Sequence, residues 1–387
     1  MRKFVLFRVA LSALCLPLIL SCAGLGKAKS YMVYVGTYTD STASKGIYAY
    51  RFEPSTGALT PLNTPAETKN PSFLATDPEG RFLYAVNEIG DYEGKSAGSV
   101  TSFAMDRATG KLTMLNTVST KGDGPCHLMV DNTGKMLVVA NYGGGSVAAF
   151  PIRPDGKLGA ASYFDQHTGK GANAERQEGP HAHCAAISQN NRFAFVADLG
   201  LDKIFSYHVD PSSGKLTPNS PPSTSVAAGA GPRHFAIHPN QRWAYVINEI
   251  QSTITAFRYY DTRGTLKETQ TISTLPADFH GENTTAEIAI HPGGNFVYGS
   301  NRGHDSIAVY SVDKRTGKLT LVEHVPTQGK QPRNFALDPG GRFLLAANQK
   351  SDNIVEFRVD AKTGKLTPTG ATLNIPAPVC VLFVPMK

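Results

Sequence analysis

Gly231-Pro232-Arg233-His234-Phe235-Ala236-Ile237-His238-Pro239-Asn240-Gln241-Arg242-Trp243-Ala244-Tyr245-Val246-Ile247-Asn248-Glu249 is the stretch on which the fold turns. Its two apolar runs are too short for helices, rich in aromatic and β-branched residues, and separated by a Pro-Asn turn, so they predict a strand hairpin. The block is not unique. It recurs as Asn70-Pro71 through Asn87, Gly124-Pro125 through Asn141, Gly179-Pro180 through Asp198, Thr285 through Asn301, and Gln331-Pro332 through Asn348.

A second element alternates with the first. Thr56-Gly57-Ala58-Leu59 has counterparts ending in Leu112, Leu158, Leu216, Leu266, Leu319 and Leu366, each with a glycine two residues before the leucine. Those glycines lie 46 to 58 residues apart, and glycine supplies the positive φ that a tight hairpin needs. Each unit thus holds four strands, two around the Pro turn and two around the Gly turn. Seven such units predict an all-β fold, a seven-bladed β-propeller. One inner strand is missing from the tandem count. The run Ala377 to Val384 supplies it by pairing with the N-terminal strand Tyr31 to Val35, closing the ring and hiding two strand edges.

Working outward to the N-terminus, Arg2, Lys3 and Arg8 precede an apolar run, Val9 to Leu20, too short to span a bilayer and suited to a secretory signal. Ile19-Leu20-Ser21-Cys22-Ala23-Gly24 is similar to a bacterial lipobox, which makes Cys22 the expected lipidation site. The expected organisation is a signal peptide over 1–21, a linker over 22–30 and the propeller over 31–387. The protein is then exported and lipid-anchored to the bacterial envelope, touching membrane through the anchor only. The chain has 387 residues and a formal net charge of +7, of which three positive charges lie in the signal. With 18% charged residues the body is too sparsely charged for a disordered or nucleic-acid-coating protein, and no nucleic-acid partner is expected. Cys126, Cys184 and Cys380 are scattered without a CxxC pattern, so no disulfide framework is expected.

Topology places the site. In each blade the first strand starts at the rim to which the second returns, and the longer connections share that rim: Glu88 to Gly98, Asp165 to Glu178, Asn219 to Ala230 and Pro276 to Asn283. The short turns occupy the opposite rim. Polar residues converge on the first rim around the channel: His127, His181, His183, Arg233, His234, Arg333 and Asn334 at inner-strand starts, and Glu88, Tyr142, Asp198, Asn248, Glu249, Asn301 and Arg302 at hairpin ends. The recurrent Asn or Asp at hairpin ends is most simply a ring of backbone caps. His238 and His291 belong to turns of the far rim.

The Gly-Pro-Arg-His…Asn-Glu block, with Gly179-Pro180-His181-Ala182-His183 and Asp198, resembles the lactonase family of seven-bladed propellers. That family includes propeller-type 6-phosphogluconolactonases and the fungal enzymes that cyclise 3-carboxymuconate. The resemblance runs from Tyr31 to Pro385 and implies catalytic positions at His183, Arg233, Glu249 and Arg302; His127, His181, His234, Asn248 and Asn301, at the same rim, are expected to bind substrate.

Hydrolysis of a small sugar lactone needs an activated water, a charge opposite the carbonyl oxygen and anchors for an anionic group. Glu249 or His183 is the expected base, Arg233 the expected oxyanion partner, and Arg302 with His127 or His234 the expected anion anchor. No cofactor and no metal are expected: His181 and His183 form an i, i+2 pair without evident further ligands. There is no HExxH, P-loop or Gly-x-Ser-x-Gly elbow. The alternatives are a carboxymuconate-type lactonizing enzyme and a non-enzymatic surface propeller that binds carbohydrate or protein. The sequence assigns no oligomeric state.

Overall fold

The computed structural model describes residues 1, 30–62 and 65–386. The expected signal peptide, the lipidation site Cys22 and most of the 22–30 linker lie outside the described residues.

The hairpin of residues 231–249 forms as Pro232–Ile237 paired with Trp243–Asn248. Thr253–Tyr260 and Thr265–Ser273 complete an antiparallel sheet of four strands. Six further sheets repeat the arrangement around a central channel, giving a seven-bladed propeller. The ring closes as the sequence predicts: Pro378–Pro385 pairs with Tyr31–Thr37, with Tyr31 opposite Pro385 and Val35 opposite Val381.

Hydrophobic alternation on middle strands fills the space between neighbouring blades. Trp243, Tyr245 and Ile247 of one blade pack against Val297, Ala308 and Tyr310 of the next, and equivalent clusters occupy each of the other interfaces. The Thr-Gly turns lock these interfaces. A Cβ on Gly317 (φ +72°) would lie 2.4 Å from the Trp243 ring of the preceding blade, and the carbonyl of Gly317 accepts from the Tyr245 hydroxyl at 2.8 Å. Gly364 stands in the same relation to Phe296 and Tyr298. The repeated glycine therefore serves both its own turn and the next blade's packing.

Two details differ from the sequence expectation. Asn219 to Ser225 is strand rather than loop, the end of Lys215–Ser225; this is an outermost strand, where Pro218, Pro221 and Pro222 forfeit no inward hydrogen bond. The connection after Phe193–Asp198 holds a short 3-10 turn, Leu199–Leu201. His238 and His291 do cap far-rim turns: each accepts a backbone N–H two residues on and reaches a carbonyl of the next blade, Gly294 and Gly341.

Candidate active site

Inner strands begin with a register shift. Between Pro232 and His234, between Ala182 and Cys184, and between Pro332 and Asn334 one residue has no partner opposite it. Those residues are Arg233, His183 and Arg333; Cys126 holds the corresponding place in a fourth blade. A bulge re-aims a side chain that alternation would send elsewhere, and here the bulged residues gather around the channel. His183, Arg333 and Cys126 line a cavity of about 260 Å³ at the loop-bearing rim, with Tyr38, Glu88, Tyr142, Arg176, Glu249 and Arg302.

Glu249 is its electrostatic centre. Its carboxylate accepts from Arg176 Nη2 at 2.6 Å, Arg233 Nε at 2.9 Å and Arg302 Nη2 at 2.9 Å. Burial alone would raise its pKa, but the charges of Arg302, Arg233 and Arg176 hold it down to about 2. Burial lowers the Arg302 pKa as well, to about 10, and the guanidinium stays cationic at neutral pH. Arg176 comes from the long loop after Tyr163–Gln166. That loop is pinned by His167, on Asp198 and Tyr207, and by the buried Gln177, on Leu199 O and Asp202.

On the opposite wall, Arg333 lies over the Tyr38 ring at 5.3 Å and near Glu88 at 3.9 Å, while the Tyr38 hydroxyl donates to Glu88 at 2.9 Å. Three arginines face two glutamates across the mouth, a surplus of one positive charge in a confined space. Two buried nitrogens on its lining, His183 Nδ1 and Arg302 Nε, have no hydrogen-bond partner. Buried polar atoms are ordinarily paired, so these two mark a place built for a ligand. Burial, then the Arg233 charge, lowers the His183 pKa well below 6.5, leaving a neutral imidazole.

The predicted residues fall at different depths. His183, Glu249 and Arg302 line the cavity. Arg233 does not: its side chain is 2% exposed, its Nη1 donates to Ala286 O at 2.7 Å, and it supports Glu249 from below. Arg233 thus lies behind Glu249 and not on the cavity surface. His127 and His234 are also deeper, in a buried floor. There the Phe73 and His127 rings lie 3.9 Å apart at a tilt of 31°, His234 Nδ1 meets Glu287 at 3.0 Å, and Asn334 donates to the other Glu287 oxygen. Burial raises the Glu287 pKa to about 7. Neither histidine is among the residues that line the mouth. His181 stacks on Tyr142 at 4.6 Å and contacts Tyr142 O and Glu178, bracing the wall from behind.

Asn248 and Asn301 belong to the capping ring: Asn248 donates to Thr253 and Thr255, Asn301 to Thr274 O and Ser306. Neither lines the cavity. Among the described residues no three His, Cys, Asp or Glu side chains form a metal-binding group.

Below the floor the channel opens to the turn rim as an apolar funnel of about 740 Å³. Although larger, it carries no charged side chain among its lining residues, whereas charged groups gather at the smaller mouth.

Sequence reasoning gave no role to Arg333, Glu88 or Tyr142 and did not single out Arg176 or Tyr38. The signal for Arg333 was present: Gln331-Pro332-Arg333-Asn334 has the spacing of Gly231-Pro232-Arg233-His234. Arg176 sits in an irregular loop with no repeat counterpart.

Residues 32–383 match the family described as lactonase, 7-bladed beta-propeller. The chain is 39% identical over 354 residues to a 6-phosphogluconolactonase of Bacillus subtilis, covering 92% of this chain and 98% of that protein. It is 36% identical to a 6-phosphogluconolactonase of Formosa agariphila, over 79% of this chain and 85% of that one. Among solved structures, the periplasmic gluconolactonase of Pseudomonas aeruginosa superimposes with a TM-score of 0.86 at 33% identity, covering 92% of this chain and all of that one.

Proposed function

The chain belongs to the seven-bladed β-propeller lactonase family, and from that premise we propose that it opens a sugar lactone bearing an anionic group, by metal-independent hydrolysis at the Glu249 mouth. It is a sugar lactone hydrolase by its relatives. The observation that carries the mechanism is the grip of three arginines on Glu249 beside a neutral His183.

A carboxylate held at about 2 is a poor proton acceptor near neutrality. We therefore assign the base to His183 and make Glu249 the organiser that fixes Arg176 and Arg302 before substrate arrives. His183 takes a proton from water as the water oxygen attacks the ring carbonyl. The carbonyl oxygen becomes an oxyanion facing Arg302, which is already oriented and largely shielded from water. Collapse breaks the bond to the ring oxygen, which receives the proton from His183 and leaves as a hydroxyl; the product is the open-chain acid. Arg333, with Arg176 across the cavity, holds the anionic substituent, a phosphate or a carboxylate. Arg233 is a positioning residue.

Export with a lipid anchor at Cys22 completes the proposal, supported by the lipobox-like sequence and by the periplasmic location named for the Pseudomonas aeruginosa relative. The test is acid release from gluconolactone and its 6-phosphate, above the spontaneous rate. Acceleration of either supports hydrolysis, with the phosphorylated lactone expected to have the lower KM; no acceleration of either overturns it.

A further inference from the structure

The disc has two unlike faces. Connections at the turn rim, within the first and second strand pairs of each blade, carry fifteen Lys and Arg against ten Asp and Glu. Connections at the active-site rim carry eight Lys and Arg against thirteen Asp and Glu, of which Asp202 and Glu249 are buried, leaving eleven. Three of the turn-rim acids, Asp77, Asp131 and Asp338, are buried and accept from amides of their own turns. The bases are not spent in this way: Lys314, Arg315, Lys318, Lys362 and Lys365 are exposed.

The chain also enters the propeller at this rim. Ser30 O accepts from Met386 N at 3.0 Å, and Arg107 of the adjacent turn reaches Pro385 O at 2.9 Å. Ser30, the first described residue of the propeller, therefore stands at the basic face. The eight residues from Cys22 to Ser30 span at most roughly 28 Å.

We infer that the turn rim is a docking surface for an anionic phospholipid bilayer, which holds the Glu249 mouth away from the membrane and toward solvent. Basic groups gain from anionic headgroups only within a Debye length, about 8–10 Å, and a flat rim brings many within that distance together. The acid surplus of the other rim opposes the inverted orientation. This orientation does not depend on which residues at the mouth carry out catalysis.

The experiment uses the full chain as the cell matures it, mixed with vesicles of phosphatidylcholine alone or with phosphatidylglycerol. Lysines are acylated with a water-soluble reagent and quantified by mass spectrometry. On phosphatidylglycerol vesicles Lys314, Lys318, Lys362 and Lys365 are expected to be protected about threefold or more. Lys121, Lys330 and Lys350 of the active-site rim are expected to react as in solution, and high salt should restore labelling. Reversal by Lys314→Glu, Lys318→Glu, Lys362→Glu and Lys365→Glu should expose Lys111 and Lys215 of the same rim while lactone hydrolysis is retained. Equal protection of both rims, equal protection on neutral vesicles, persistent protection after charge reversal, or the same protection by DNA or an acidic polysaccharide would each overturn the inference.

Discussion

Arg233 Nε lies 2.9 Å from Glu249 Oε2, joining the bulge at the head of an inner strand to the residue just past the end of its hairpin partner. This contact converts backbone register into side-chain placement. Glu249 in turn orients Arg176 and Arg302, which come from two other blades. Two sheets and the long loop after Tyr163–Gln166 are thus tied to one carboxylate, so these charged groups are ordered around it before any substrate enters.

Replacing that carboxylate should show in stability as a function of pH. The Glu249 pKa in the folded protein is about 2, against an ordinary value of 4.5, so its contribution is fully present above about pH 4.5 and is lost as pH falls toward 2. Glu249→Gln is expected to cost about 3 kcal/mol at pH 7, and the difference from the parent should shrink steadily below pH 4.5. Urea unfolding at pH 7, 4.5 and 3 measures this. A pH-independent difference would contradict the coupling.

With His183 as the proposed base, His183→Ala should reduce kcat by about 10²- to 10⁴-fold with the arginine cluster intact. Because the imidazole is already neutral well above its depressed pKa, the parent's kcat/KM should be flat from pH 6.5 to 8. Turnover within threefold of the parent in the alanine variant would remove His183 from the mechanism.

Arg333 separates binding of the anionic group from chemistry at the ring. Arg333→Gln should raise KM for the 6-phosphate lactone by about 10- to 100-fold and change KM for unphosphorylated gluconolactone much less. Equal losses for both substrates would place Arg333 elsewhere in the reaction. Steady-state kinetics on the two lactones decides.

Glu287, in the floor, has the opposite sign. Burial raises its folded pKa to about 7 from 4.5, so the folded state binds the extra proton and stability falls as pH rises from 4.5 to 7. Glu287→Gln removes this titration. The variant should gain on the parent across that window, by up to about 3 kcal/mol at pH 8, as read by chemical denaturation at pH 4.5 and pH 8.

The fold was legible because its punctuation is local and repeated. A Pro turn or a Thr-Gly turn acts within a few residues, and seven repeats average out any one ambiguous strand. The ring closure was legible by counting, since one inner strand was lacking. The site was legible in outline for a related reason: hairpin ends fix which rim Glu249 and Arg302 occupy. Depth was not. Alternation along a strand gives no warning of a one-residue bulge, so Arg233, His127 and His234 were expected at the mouth when they lie under it. Arg176 was invisible for a different reason: it is held by the tertiary contacts of His167 and Gln177, which no spacing announces.

The closing sheet has a consequence in time. Pro378–Pro385 is the innermost strand of the blade that Tyr31–Thr37 begins, so the earliest part of the propeller to be synthesised waits for the last. Until those final residues emerge, the first blade lacks its inner wall and the channel is open along its length. Arg333 and Glu88 stand in the blades on either side of that gap, and Tyr38 follows its first strand. Completion of the ring and completion of that wall of the cavity are therefore a single late event: a nascent or C-terminally shortened chain has Glu249 and its arginines but only part of the enclosure around them.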